Sequence, residues 1–123
     1  MAADVYLQEA TKRLREASAA LSDDIHTTQT ETYRTESQLH GDISRAEVEH
    51  GEVRAEMMAT SDMRLKAQLE VRMRQLEAEI RDKKAEVSRL GSDAARTVQA
   101  KSSLMGGIQS VMNQIESLVA SVK

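Results

Sequence analysis

The stretch Leu69-Glu70-Val71-Arg72-Met73-Arg74-Gln75-Leu76-Glu77-Ala78-Glu79-Ile80-Arg81-Asp82-Lys83-Lys84-Ala85-Glu86-Val87-Ser88-Arg89-Leu90 decides the fold. Its apolar residues return at alternating steps of four and three: Leu69, Met73, Leu76, Ile80, Val87 and Leu90, with Lys83 the one charged member. The same spacing continues through Ala94, Thr97, Lys101, Leu104, Ile108, Val111, Ile115, Leu118 and Val122. Sustained over seven heptads, it predicts a coiled-coil helix. No strand pattern occurs, and the 123 residues contain no proline to break a helix.

Working outward, the N-terminal half carries a poorer seam: Leu7, Ala10, Leu14, Ala17, Leu21, Ile25, Thr28, Thr32, Thr35, Leu39, Ile43, Ala46, His50, Val53 and Met57. Two consecutive steps of four fall at Leu21 to Ile25 and at Leu39 to Ile43, and such stutters relax the left-handed supercoil. Threonines hold three successive seam positions, a polar layer that sets register or weakens the helix. Between Met57 and Leu69 the phase is lost, and Thr60-Ser61-Asp62 offers capping groups for a new helix. Gly91-Ser92-Asp93 is a second candidate corner, but Leu90 and Ala94 keep phase across it, so continuity is expected there. Gly106-Gly107 costs helix propensity while Leu104 and Ile108 keep phase. The fold class read from these patterns is all-α, built of long coiled-coil helices, a helical hairpin with its corner near Thr60 to Asp62. Residues 1-60 form an acidic helix of irregular phase, and residues 61-123 a regular heptad helix ending in an apolar docking segment, 102-123.

Composition supports this division. The chain has no cysteine, tryptophan or phenylalanine and two tyrosines, so it lacks the large rings around which globular cores form. Disulfide and zinc-thiolate frameworks are excluded. Residues 1-61 hold 6 basic and 12 acidic residues and residues 62-123 hold 11 and 8, so net −6 faces net +3. The halves attract if the chain folds back near Ser61 or if two copies pack antiparallel; otherwise each is a solvated face, the commoner case for either face alone. Met1-Ala2-Ala3-Asp4 has neither a basic nor an apolar leader region, and the longest uncharged stretch, Ser102 to Ile115, is too short to span a bilayer. An intracellular protein without a membrane span is expected.

From Leu104 onward the apolar pattern widens, because Met105, Met112 and Val119 stand beside Leu104, Val111 and Leu118. Three apolar positions per heptad predict a face that meets more than one helix. The candidate partner-binding residues are therefore Leu104, Met105, Ile108, Val111, Met112, Ile115, Leu118, Val119 and Val122, and this end is expected to dominate association. On that expectation aspartates at Ile108 and Ile115 abolish association, while aspartates at Thr28 and Thr35 are milder. A chain exposing such a seam is not a stable monomer unless residues 1-60 fold back on it.

Lys101-Ser102-Ser103-Leu104-Met105-Gly106-Gly107-Ile108, continuing to Ile115, Leu118 and Val119, resembles the segment that closes the coiled coil in a family of ciliary proteins. That family comprises the modifier-of-inner-arms subunits of motile axonemes and their coiled-coil relatives. The resemblance covers about a sixth of the chain. It departs where the family tends to carry Lys-Met-Ala and a later aromatic, since Gln109-Ser110-Val111 stand here and no aromatic follows. What the resemblance implies is a fibrous axonemal subunit that pairs with another coiled coil along the doublet microtubule.

No catalytic or metal chemistry is expected. Glu36/His40 and Glu47/His50 place a carboxylate and an imidazole on one helix face, but a di-iron bundle needs two Glu-x-x-His motifs and two further inward glutamates, and the chain has three histidines. No phosphate-binding loop or nucleophile elbow occurs. No cofactor, metal or catalytic residue is assigned, and the chain is read as a non-enzyme. The basic row Arg64, Lys66, Arg72, Arg74, Arg81, Lys83 and Lys84 is interrupted by acids and has no aromatic platform, which argues against nucleic acid. It suits an acidic protein surface such as tubulin better, and a solvated face better still. The expected partners are other coiled-coil proteins or a second copy. Function is read as a structural coiled-coil subunit of a larger assembly in the cytoskeleton or a cilium axoneme; the alternative is a soluble helical adaptor or chaperone-like bundle that binds a client transiently.

Overall fold

The computed structural model describes residues 2-122, with side chains described for 3-121. Two helices, α1 (Ala2–Ala59) and α2 (Met63–Val122), pack against each other as a helical hairpin. The corner lies where the capping chemistry predicted it. The Thr60 N–H still donates to the Glu56 carbonyl (3.1 Å), closing the last turn of α1. Thr60 Oγ1 then accepts from the Asp62 N–H (3.2 Å). Asp62 is the N-cap of α2: its Oδ1 accepts from the Arg64 N–H (3.0 Å) and the Leu65 N–H (3.4 Å), two of the donors that a helix start leaves unpaired. No described residue has a positive φ, so the corner needs no left-handed glycine, and Gly91 and Gly106-Gly107 lie within continuous helix.

The chain divides into two units. The corner unit, Thr32–Ser92, contains the core: Ala46, Val53 and the fully buried Leu76, flanked by Leu69, Met73 and Ile80. Leu39 and Ile43 are buried in it too. The terminal unit joins the residues up to Glu31 with those from Asp93 onward, and its only buried apolar side chain among those described is Met112.

The inward-facing positions correct the predicted seams. In α1, Ser18 is half-buried and Ala17 exposed, and Glu36 is half-buried and Thr35 exposed. With those exchanges the steps alternate evenly from Leu7 through Thr11, Leu14, Ser18, Leu21, Ile25 and Thr28. The predicted slips at Ile25 and Ile43 vanish, and one stutter remains at Thr28-Thr32-Glu36. In α2 the expected unbroken phase fails at Leu90-Ala94-Val98: Val98 replaces Thr97 on the inner face, and Met105, Met112 and Val119 replace Leu104, Val111 and Leu118. Two steps of four approximate the spacing of a straight helix, so each helix relaxes its supercoil once.

Candidate partner-binding surface

The nine predicted binding residues separate onto two faces. Met105, Ile108, Met112, Ile115 and Val119 are buried or half-buried, at the positions that repeat along the inner face of α2. Leu104, Val111 and Leu118 retain 59%, 43% and 55% of their surface. The side chain of Val122 lies outside the described residues. The wide stripe is thus divided: its inner columns close the hairpin, and its outer column stays about half exposed. Aspartates at Ile108 and Ile115 consequently attack the hairpin itself, and a test of docking belongs at the outer column.

Charge, which the sequence divides between the halves, is used across the hairpin. In the corner unit Arg72 Nε and Nη2 both donate to Glu49 Oε1 (3.0 and 2.7 Å). Lys83 Nζ lies 3.7 Å from Asp42 and Lys84 Nζ 3.4 Å from Glu47. In the terminal unit Lys101 Nζ is 3.7 Å from Asp24. Lys83, at a seam position, snorkels out to its carboxylates. Its hydrogen bond to Glu79 (2.9 Å) raises the ammonium above the ordinary lysine value against a smaller opposing effect of desolvation, and the charges of Glu79 and Asp42 add to the rise. Exposed pairs of this kind contribute at most about 1 kcal/mol each, so they fix register more than stability.

The basic row is therefore largely neutralised. Arg74 bonds Glu70 (2.8 Å) and Arg81 lies 3.8 Å from Asp82. Only Arg64 and Lys66, beside the corner, pair with no carboxylate among the described residues. The two carboxylate-imidazole pairs also separate: Glu36 turns toward Gly91, while His50 Nε2 lies 3.1 Å from Glu77 of the facing helix. Among the described residues no three His, Asp or Glu side chains converge as metal ligands. No described helix is long and apolar enough to cross a membrane.

One surface escaped the sequence reading. Met57, Met58, Met63 and Met73 line a cleft at the corner, with Met58 and Met63 each 75% exposed. The available signal was the clustering of four of the seven methionines within 17 residues. Met57 and Met73 belong to the two seams, while Met58 and Met63 fall where the phase is lost, so periodicity does not join the four.

No family model, curated protein or solved structure matches the chain.

Proposed function

We propose that the protein is a non-enzymatic coiled-coil subunit that joins partner helices in a larger assembly, set in a ciliary axoneme or another microtubule-associated complex. One observation carries the reading: the terminal unit, where the large apolar residues of α2 are densest, buries only Met112 among its described apolar side chains and leaves Leu104, Val111 and Leu118 in solvent. Two helices have too little facing surface to cover a three-wide stripe, and half-exposed apolar residues recurring at heptad spacing on one helix face support an interaction surface. The axonemal setting rests on the likeness of residues 101-119 to the modifier-of-inner-arms family. The test is purification of the tagged full chain from ciliated cells. Coiled-coil proteins of the axoneme at fixed stoichiometry, retained through a high-salt wash, are the expected result, because apolar burial resists screening. A soluble client that exchanges and is lost with salt would replace this reading with that of a transient adaptor.

A further inference from the structure

We propose that α1 up to Glu31 is a displaceable cover on the inner face of α2, and that a helix with large apolar residues at both heptad positions takes its place. This deepens the coiled-coil reading above, and rests on it for the partner, by stating how a partner helix reaches the apolar columns of α2.

The two faces that meet in the terminal unit are unequal. From α2 come Met105, Ile108, Met112, Ile115 and Val119, every one large and apolar. From α1 come Leu7, Thr11, Leu14, Ser18, Leu21, Ile25 and Thr28, all half-buried. Short hydroxyl side chains thus stand at Thr11, Ser18 and Thr28, where a seam ordinarily carries a large apolar residue. The Thr11 hydroxyl donates back to the Leu7 carbonyl (2.9 Å), so its polar group is satisfied within α1 and adds nothing across the interface.

The packing reflects this mismatch. Leu7 and Thr11 of α1 and Ile115 and Val119 of α2 border an open groove of about 410 Å³, although all four occupy inward positions. Side chains beside open space forfeit the dispersion contacts they would have made there. Of the five α2 residues only Met112 is buried, and the others are half-buried.

The corner unit supplies the contrast within the same chain. There α1 presents Leu39, Ile43, Ala46 and Val53, all buried. Arg72 reaches Glu49, Lys83 reaches Asp42, Lys84 reaches Glu47 and His50 reaches Glu77 across the two helices. In the terminal unit Lys101 with Asp24 is the one cross-helix ion pair among the described residues. Local opening costs least where burial and cross-links are fewest, so the helices of the terminal unit part while those of the corner unit stay paired. The tether gives the α1 cover a high effective concentration, which a free helix overcomes only with better contacts. Leucine in place of Thr11, Ser18 and Thr28 provides them.

The probe is a labelled synthetic peptide of residues 4-31 carrying Thr11→Leu, Ser18→Leu and Thr28→Leu, titrated into the full chain by fluorescence anisotropy. It should bind, and the unsubstituted peptide should bind at least about tenfold more weakly. Hydrogen exchange read by mass spectrometry locates the exchange of partners. In the complex the chain's own residues 7-28 should lose protection while residues 105-119 gain it. Placed in the full chain, the same three substitutions should slow exchange of residues 105-119 at least about tenfold, block the peptide, and reduce the coiled-coil proteins retained by the tagged chain. A substituted peptide that does not bind, or that binds while residues 7-28 stay protected, overturns the displaceable cover. Unchanged exchange in the substituted chain does the same. Undiminished retention by the substituted chain places the partner elsewhere and overturns the cover while the coiled-coil reading stands. Displacement by the peptide as expected, with no coiled-coil protein retained by the native chain, overturns that reading and leaves the cover standing.

Discussion

Leu76→Ala measures how much of the hairpin depends on the corner unit. Leu76 is the one described side chain with no accessible surface, enclosed by Ala46, Val53, Leu69, Met73 and Ile80. Truncation removes three carbons, worth about 2.4 kcal/mol of transfer at ~0.8 kcal/mol each. A cavity term brings buried Leu→Ala changes to about 2-5 kcal/mol. Two helices with no third layer behind them can close part of the void, so about 3 kcal/mol is expected. For a chain of this length 1 kcal/mol corresponds to ~4 °C in Tm, and the variant should melt about 12 °C lower. Leu104→Ala is the comparison: 59% exposed, it forfeits less than half of the transfer, about 1 kcal/mol or ~4 °C. Both are read by circular dichroism melts and urea unfolding at high dilution, where pairing between copies contributes least, with the urea m-value required to stay constant. Equal losses in the two variants, or a Leu76→Ala loss below about 1 kcal/mol, would refute the assignment of the core.

Asp62→Ala should cost about 1 kcal/mol in urea unfolding by freeing the Arg64 and Leu65 N–H groups, while Asp62→Asn retains most of the cap. Gly51→Ala and Gly91→Ala should each add about 1 kcal/mol through helix propensity, since an added methyl meets nothing at Gly51 and only Glu36 Oε1, at 3.5 Å, at Gly91; destabilisation at either site would contradict its place in regular helix. Lys83 should make the hairpin less stable in alkali. Its folded-state value is raised, so its contribution is complete below the ordinary lysine value and disappears as pH rises through the raised one. Urea midpoints across that window should fall more for the native chain than for Lys83→Met, and parallel curves would refute the role of its carboxylates.

Helix, corner and continuity at Gly91 were legible in the sequence because each is a local property. The 3,4 spacing, the absence of proline and the Thr60-Ser61-Asp62 caps act within a few residues of where they are written. The opposite charges of the halves likewise anticipated the pairing of Arg72 with Glu49 and of Lys101 with Asp24. The docking end was half legible: its apolar excess could be counted, but not its division between two faces. Leu104 and Met105 differ by one helical step of 100°, and both are large and apolar, so periodicity treats either as a seam residue. The same ambiguity stood between Ala17 and Ser18, and between Thr35 and Glu36. Only α1 lying against α2 resolved it, through stutters at Thr32 and Ala94 that no propensity marks. The facing helix decides phase because burial is won by the whole column at once, and a column that spends Ser18, Glu36 and Lys101 on the interface is acceptable when it aligns Leu39, Ile43, Leu76 and Met112 inside.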